Sequence, residues 1–258
     1  MGFDDDLRSC AELVQNGDAN RFQAVMAAPV AARELLFALY AFNVELSRAP
    51  WASSESMIAE MRLQWWRDLG AEIAVGKLAR RHFVATPLAR LLKPELAVVI
   101  DTMAEARRWD IYRDPFADED EFDGYIDATS GGLLWMAAAS LGAADEAVVR
   151  EFGYGVGVAN WLQAIPELEA QKRVPLLDGT PKGVRALAQK ALKSLLNARV
   201  NGGRISPEAG VALLAGWQAE AILRQAIREP DRVASGALGQ SEFRRRVGLI
   251  WRAAAGRW

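Results

Sequence analysis

Apolar residues recur at spacings of three and four along almost the whole chain, and no segment alternates β-branched with polar residues for long. The first spacing marks one face of a helix, whereas half-buried strands would need the alternation. The ten prolines fall mainly between the periodic stretches, where a fixed φ and a missing amide donor suit helix ends. The sequence predicts an all-α protein with helices at residues 4–15, 19–27, 30–48, 55–75, 84–92, 94–111, 119–141, 144–164, 181–201, 206–228 and 240–254.

The chain holds enough apolar material for one large core, because 51% of its residues are hydrophobic and only 25% are charged. No internal repeat or linker interrupts it, so we expect a single domain over residues 1–258. No run approaches the ~20 apolar residues of a membrane-spanning helix, and the acidic start lacks a signal core. These features predict a cytoplasmic protein.

Metal chemistry, if present, would depend on carboxylates. With one cysteine, Cys10, and one histidine, His82, the chain has no means to build an internal disulfide or a Cys/His zinc site. Carboxylate ligands suit magnesium or manganese. The placement of Asp and Glu therefore decides which function the sequence favours.

Charge is distributed unevenly along the chain. Residues 1–181 carry 17 basic and 28 acidic side chains, whereas residues 182–258 carry 14 basic and 5 acidic ones. A basic C-terminal third suits diphosphates, anionic lipid headgroups or an acidic partner, but it also suits pairing with the acidic part of the same fold, which we favour. No nucleic-acid partner is expected, because no recognition motif accompanies the charge.

The C-terminal segment, residues 243–258 (FRRRVGLIWRAAAGRW), interleaves arginine with aliphatic and indole groups. One interpretation is an interfacial helix that contacts a membrane peripherally. The other, which the sequence alone favours, is a terminal helix docked on the core through Phe243, Val247, Ile250 and Trp251.

Three pairs of aspartates have the spacing of four that places two carboxylates on one helix face, where they can hold magnesium against a diphosphate. They are Asp110/Asp114, Asp114/Asp118 and Asp123/Asp127. Pro115 interrupts the first two pairs, and the third lies in an acid-rich helix start, where negative charge complements the helix dipole. Capping and solvation explain these acids more simply than metal binding does.

The tandem Trp65-Trp66 lies between two arginines, Arg62 and Arg67. Only one of two adjacent indoles faces a core squarely, so the other must cover a neighbour, a groove or a ligand. The arginines have the forked donors that bind diphosphate, but Asp68 beside Arg67 favours local ion pairing and a structural role.

Several segments, taken in order, resemble the squalene/phytoene synthase family. Residues 33–45 (RELLFALYAFNVE) are similar to its arginine-to-YAF helix, and residues 62–68 (RLQWWRD) to its RLxWWRD element. Residues 109–115 (WDIYRDP), 125–131 (YIDATSG) and 155–162 (GVGVANWL) follow in the expected order. The resemblance covers residues 20–178, and the combined order is far more specific than any single piece.

The resemblance implies an isoprenoid synthase-like helical bundle around a central apolar cavity. In active members, two Asp-rich motifs beside that cavity bind Mg²⁺, which neutralises the leaving diphosphate. It also implies a set of candidate residues for the cavity or for diphosphate binding: Arg33, Tyr40, Asn43, Glu45, Arg62, Trp65, Trp66, Arg67, Tyr125 and Asn160.

Both Asp-rich motifs are degraded in this sequence. After Tyr40-Ala-Phe-Asn43, Glu45 is the acid that remains, and Ser47 and Arg48 stand where metal-binding aspartates are expected. After Asn160, the acids are Glu167 and Glu169, which follow Pro166 at a spacing of two. That spacing predicts a helix end followed by a loop rather than a DxxxD face.

Three hypotheses remain open. The leading one is a non-catalytic family member, because the acids of both Asp-rich motifs are missing, and no cofactor is expected. A branch with the AFNxEL and WWRD elements is similar to a mitochondrial assembly factor for respiratory complex I, which gives the hypothesis its concrete form. Complex I subunits would then be the partners, and the protein would act at the inner membrane. The second is an active prenyltransferase that condenses prenyl diphosphates, with Mg²⁺ held by Glu45, Asp110, Asp123 or Asp127. The third is passive binding of an isoprenoid lipid or quinone without metal.

Overall fold

The computed structural model describes residues 5–53, 55–77, 81–112 and 114–258. Within those ranges the chain forms α-helices joined by short turns, with no strand and one isolated bridge between Ala144 and Ile205. The α-helices are α1 Asp5–Gly17, α2 Ala19–Ala27, α3 Val30–Arg48, α4 Ser56–Ala74, α5 Ala85–Leu91, α6 Val98–Ala106, α7 Glu119–Ile126, α8 Gly132–Leu141, α9 Glu146–Ala170, α10 Pro181–Val200, α11 Pro207–Leu213, α12 Ala219–Arg228, α13 Asp231–Ala234 and α14 Glu242–Ala254. The all-α prediction is confirmed.

Some predicted helices are divided more finely than their periodicity suggests. The segment predicted at 94–111 is α6 with a 3₁₀ turn on each side, Pro94–Leu96 and Arg107–Asp110. The segment at 206–228 breaks at a 3₁₀ turn, Leu214–Gly216, before α12. Because 3₁₀ turns preserve much of the apolar spacing while they tighten the backbone, the periodicity alone does not separate them from α-helix.

Helix α9 is longer than predicted and continues through Pro166 to Ala170. The prediction of a loop from residue 166 was therefore wrong at its start. Proline removes one intrahelical hydrogen bond. Ile165 and Leu168 beside it are buried, with exposed fractions of 1% and 8%, and their packing holds the last turns of the helix in place.

The hydrophobic core is continuous from Cys10 in α1 to Val233 in α13. Its largest fully buried side chains include Tyr40, Phe37 and Phe42 on α3 and Phe152 on α9. Helix α9 passes through the middle of this core and packs against α8, α10 and α12. The central position of α9 explains why its sequence is apolar on nearly all sides.

A π-helical turn, Asp127–Gly131, joins α7 to α8 and lies against α9 at very short range. A Cβ atom on Gly153 of α9 would lie 2.7 Å from Cα of Gly131, and one on Gly157 would lie 2.6 Å from Cγ2 of Ile126. The hydroxyl of Ser130 donates to the carbonyl of Gly153 at 2.8 Å. Glycine at these α9 positions therefore allows the two backbones to touch.

The tandem tryptophans have structural roles. Trp66 is buried and meets Trp65 edge-on at 4.7 Å between ring centroids, while Trp65 also packs on His82 at 5.2 Å. The prediction that Arg67 pairs with its neighbour Asp68 was wrong. Arg67 instead donates to Asp101 of α6 at 2.6 Å, and the Asp68 carboxylate accepts a hydrogen bond from Gln64.

The basic C-terminal third pairs in part with the acidic first part, as predicted. Lys190 bonds Asp123 at 2.7 Å and Glu119 at 3.3 Å, and Arg204 lies 3.4 Å from Asp145. These pairs tie α10 and the turn after it to α7 and α9.

Helix α14 corrects the prediction for the C-terminal segment. It covers α2 and the turn at residues 214–216 through Leu249, which packs with Ala24, Leu214 and Trp217. The four residues predicted to dock it on the core are exposed: Phe243, Val247, Ile250 and Trp251. The helix therefore docks on the face opposite to the expected one, with Leu249 as its buried contact.

Across the part of the chain that the structure describes, no helix combines the length and the apolar character needed to cross a bilayer.

Candidate functional site

A cleft of about 820 Å³ opens among the start of α2, α3, the 3₁₀ turn Arg107–Asp110, α7 with the π-helical turn, and α9. Its lining contains both apolar and charged side chains. The apolar ones include Val44, Ile126, Trp161 and Leu168. The chain reaches this cleft from five separate regions, which is typical of a binding site between the helices of a bundle.

The α3 wall contains the positions at which the first Asp-rich motif was expected. Asn43, Val44, Ser47 and Arg48 line the cleft, and Asn43 is buried while Arg48 is exposed. Glu45 is absent from the lining and lies on the side of α3 toward His82, where its charge partly offsets the lowering of the His82 pKa by burial. This wall therefore presents an amide, a hydroxyl and a guanidinium in place of carboxylates.

The α9 wall contains the positions of the second motif. Asn160, Ala164 and Leu168 follow one another at a spacing of four, and all line the cleft. A DxxxD pair on this face would occupy the positions of Ala164 and Leu168, whose side chains have no metal-binding atom. Glu167 also reaches the lining and accepts a hydrogen bond from Gln171 at 2.7 Å.

Asp110 is the buried carboxylate of the cleft, and its neighbours neutralise it. The Arg107 guanidinium donates to it at 3.1 Å, and the Tyr125 hydroxyl lies 3.0 Å from Oδ2. Burial raises the pKa of Tyr125 above its ordinary range, so the phenol stays protonated. Burial disfavours the charged form of Arg107, but Tyr125 and Asp110 outweigh this and raise the pKa of the guanidinium.

A second buried arginine, Arg173, supports the loop that carries Asp110. Its guanidinium donates to the backbone carbonyls of Trp109, Asp110 and Tyr112. It also lies 4.8 Å from the ring of Trp51, which lines the cleft. Residues 109–112 of the WDIYRDP segment thus have a structural role here, with Trp109 stacked on Phe116 at 4.3 Å; residue 113 lies outside the described residues.

Tyr40 lies beneath the cleft rather than in its lining. It is buried, its hydroxyl donates to the carbonyl of Ala212 at 3.4 Å, and burial raises the pKa of its phenol. Arg21, which lines the cleft, lies 5.6 Å from the Tyr40 ring and pairs with Asp18. Tyr40 of the YAF element therefore packs against Arg21 and helps to hold its guanidinium at the cleft.

Of the residues that the resemblance implied, the structure brings Asn43, Tyr125 and Asn160 together in the cleft, with Asp110 from the metal candidates. The others lie outside its lining. Arg33 caps the C-terminal end of α2 through the carbonyls of Ala28 and Met26. Asp123 accepts from Tyr154 and Lys190, and Asp127 from Arg150. The remaining ones are Glu45, Arg62, Trp65, Trp66 and Arg67, with Arg62 exposed on α4.

The sequence interpretation missed Arg21, Arg107 and Arg173 as parts of this site. Arg107 has one local signal, its spacing of three before Asp110. Arg21 has the same local signal, its spacing of three after Asp18, but its position at the cleft depends on Tyr40, which is distant in sequence. Arg173 has no local signal, because its partners are carbonyls more than 60 positions away.

The donor set of the cleft does not fit Mg²⁺ bound to a diphosphate. Such a site needs several convergent oxygen ligands, above all carboxylates. The buried acid, Asp110, is already occupied by Arg107 and Tyr125. Across residues 5–53, 55–77, 81–112 and 114–258, no three His, Cys, Asp or Glu side chains cluster as metal ligands would.

Comparison with known proteins supports these observations. The Squalene/phytoene synthase family profile matches residues 14–176. The NADH dehydrogenase (ubiquinone) complex I, assembly factor 6 of Bos taurus is 28% identical over 182 residues, 65% of this chain and 51% of that protein. The human protein of the same name is 26% identical over 173 residues (64% and 51%), and the Drosophila melanogaster homolog 27% over 183 (66% and 53%). The chain spans about half the length of these curated relatives.

Among solved structures, a dehydrosqualene synthase in complex with ligand superposes with a TM-score of 0.78 at 14% sequence identity. The superposition covers 97% of this chain and 95% of that one. At this identity the match concerns the fold, which is the predicted isoprenoid synthase-like helical bundle.

Proposed function

The chain belongs to the squalene/phytoene synthase family, and from that premise we propose that it is a non-catalytic member that acts in the assembly of respiratory complex I. Family and fold are of the prenyltransferase type. The observation that carries the proposal is the lining of the cleft, where Ser47 and Arg48 on α3 face the same space as Ala164 and Leu168 on α9.

The loss of catalysis follows from charge. In a diphosphate-leaving reaction, bound cations stabilise the charge that develops as the leaving group departs. Here neither helix presents the paired carboxylates that would hold those cations, since α3 contributes none to the lining and α9 contributes Glu167 alone. The buried acid of the cleft, Asp110, is paired with Arg107. Curated relatives of about a quarter identity bear the name of a complex I assembly factor, which supports the assembly role.

Two measurements test the proposal. Purified protein is incubated with Mg²⁺ and farnesyl or geranylgeranyl diphosphate beside a dehydrosqualene synthase as positive control, and released diphosphate and extracted products are followed. We expect no turnover. The gene is then deleted in its host, and we expect loss of assembled complex I on native gels, restored by the wild-type gene. Metal-dependent turnover, or unchanged complex I after deletion, would refute the proposal.

A second candidate, metal-independent binding of a prenyl diphosphate in the cleft, is favoured by one observation. Arg48 lines the cleft, and no carboxylate among the described residues pairs with it. Its guanidinium provides the positive charge that a diphosphate would need, beside the apolar surface of Val44 and Leu168.

Binding of farnesyl diphosphate, measured by calorimetry with and without EDTA, tests this candidate. We expect binding to be insensitive to EDTA and to weaken about tenfold in Arg48→Gln, because a hydrogen bond to a charged group is lost. The matched control is Arg62→Gln, an exposed arginine outside the cleft, which should leave affinity unchanged. Equal weakening by both variants would show nonspecific attraction and exclude this site.

A further inference from the structure

The outer face of α14 carries four large apolar side chains, each of them about half exposed or more. Phe243 is 76% exposed, Ile250 66%, Trp251 54% and Val247 49%, whereas Leu249 on the inner face is buried. At about 100° per residue, Phe243, Val247 and Ile250 project within about 60° of one another and more than about 90° away from Leu249. They form one continuous stripe, which we call the outer stripe.

Arginines flank the outer stripe. Arg244 and Arg246 are exposed, and the helical spacing places them on opposite sides of it. The exposed Arg257 lies 5.5 Å from the Trp251 ring, at the end of the stripe. Residues 242–258 contain five arginines and one glutamate, a net charge of +4, and that glutamate, Glu242, pairs with Arg246 one turn along the helix.

The other arginines of this segment hold the helix in place. Arg245 bonds Asn20 on α2 and lies 5.8 Å from the Trp217 ring, and Arg252 faces Glu220 at 3.7 Å. After the helix, the Trp258 ring packs edge-on against Phe152 at 5.0 Å. Inward contacts on both sides of Leu249 thus fix α14 with its outer stripe toward solvent.

We propose that α14 docks on the surface of a bilayer that contains anionic lipid, with the outer stripe inserted among the acyl chains and the flanking arginines at the phosphates. An apolar stripe with aromatic residues, bordered by arginine on a helix that is otherwise polar, is the pattern of a helix that lies in the membrane interface. The positive charge selects an anionic surface. A protein partner would need a surface with both an apolar groove and acidic groups at matching positions. A bilayer with anionic lipid offers acyl chains to the stripe and phosphates to the arginines without any specific shape.

The full-length chain is tested by flotation with vesicles of phosphatidylcholine, alone or mixed with phosphatidylglycerol. We expect binding to the mixed vesicles, reduced by high salt. Phe243→Ser with Ile250→Ser should weaken binding at least about tenfold, because two apolar side chains no longer leave water. Arg244→Gln with Arg246→Gln should weaken it several-fold on mixed vesicles only.

The matched control is Met57→Ser with Met61→Ser on α4, since these methionines are equally exposed, at 73% and 66%. It should leave vesicle binding unchanged. All variants should keep the melting temperature, because the altered side chains contact solvent.

Three results would overturn the proposal: vesicle binding that survives the Phe243 and Ile250 changes, equal weakening by the methionine control, or no vesicle binding together with a dimer that the Phe243 and Ile250 changes dissociate. The last would assign the outer stripe to a second copy of the chain. None of these results depends on complex I, so the vesicle experiments test the membrane proposal independently of the assembly role.

Discussion

The Asp110 side chain is 97% buried and pairs with the Arg107 guanidinium, so removing its charge should lower the stability of the fold more than removing that of a surface carboxylate. In Asp110→Asn, Arg107 keeps its charge without its partner, and we expect unfolding free energy to fall by about 3 kcal/mol. The control is Asp101→Asn, whose pair with Arg67 is largely exposed and should contribute less than about 1 kcal/mol. Urea denaturation measures both, and equal losses would contradict the structure.

His82 makes stability depend on pH. Burial lowers its pKa, and its Nδ1 accepts from the backbone amides of Val84 at 3.2 Å and Ala85 at 3.3 Å, which requires the neutral ring. The unfolded chain titrates near the ordinary pKa of about 6.5, so protons bind preferentially to the unfolded state. The stabilisation is present above about pH 6.5 and is lost as the pH falls toward the folded pKa.

His82→Gln should therefore lose less stability than the wild type between about pH 7.5 and pH 5.5 in urea unfolding. Because His82 is the chain's one histidine, its imidazole signals can be followed by NMR without assignment ambiguity. An apparent pKa at or above 6.5 would contradict the burial of the ring.

At this scale the sequence predicted part of the site. Asn43, Tyr125 and Asn160 were implied by resemblance to a family and do line the cleft. Arg62 and Arg67 belong to an equally specific motif, yet they lie outside it, because a motif identifies a helix without fixing which of its side chains face the ligand space. Arg173 was beyond prediction, since its partners are carbonyls more than 60 positions away.

The contact between α9 and the π-helical turn gives a prediction for a pair of elements. In Gly157→Ala, the new Cβ would lie 2.6 Å from Ile126 and 2.7 Å from Ser130, so the helices must separate. We expect a loss of about 1–3 kcal/mol in unfolding free energy. Gly124→Ala on α7 meets nothing within 4 Å and should gain up to about 1 kcal/mol from helix propensity. Thermal denaturation of both variants distinguishes close packing from propensity.

The sequence predicted the existence of most elements and missed how they end. The predicted start at residue 206 agrees with α11, because it depends on local backbone chemistry: the Ser206 hydroxyl accepts from the Ala209 amide, and Pro207 takes the first helical position. Pro166 suggested a helix end where none exists. The burial of neighbouring side chains decides such positions, and burial is a property of the tertiary structure.

The whole molecule unfolds as one unit if its core is one unit. Because the buried side chains form a continuous cluster from Cys10 to Val233, we expect far-UV circular dichroism and tryptophan fluorescence to show the same melting temperature. The nine tryptophans are distributed from residue 51 to residue 258 and report on most of the chain. Two separate transitions would contradict a shared core and indicate a part that folds independently.

Fold class was fully predictable for the whole molecule, because a helical period sustained over the entire sequence leaves no alternative to helix packing. The orientation of α14 was not. Its outer face carries more large apolar side chains than its inner face, yet the helix docks through Leu249, which packs with Ala24, Leu214 and Trp217. Which face of α14 docks therefore depends on the surface of α2 and of the turn at residues 214–216, which the sequence of α14 does not contain.

The π-helical turn at Asp127–Gly131 holds one residue more than an α-helical turn would. A relative with ordinary α-helix there would differ by a deletion in the middle of a buried helix, where insertions and deletions are otherwise rare. Each residue after it would turn by about 100°, so Leu133 and Leu134 would exchange faces with their neighbours. The extra residue therefore sets the rotation of α8 relative to α7. With it, Tyr125 and Ile126 face the cleft while Leu133 and Leu134 face the core, and its deletion would disturb both contacts.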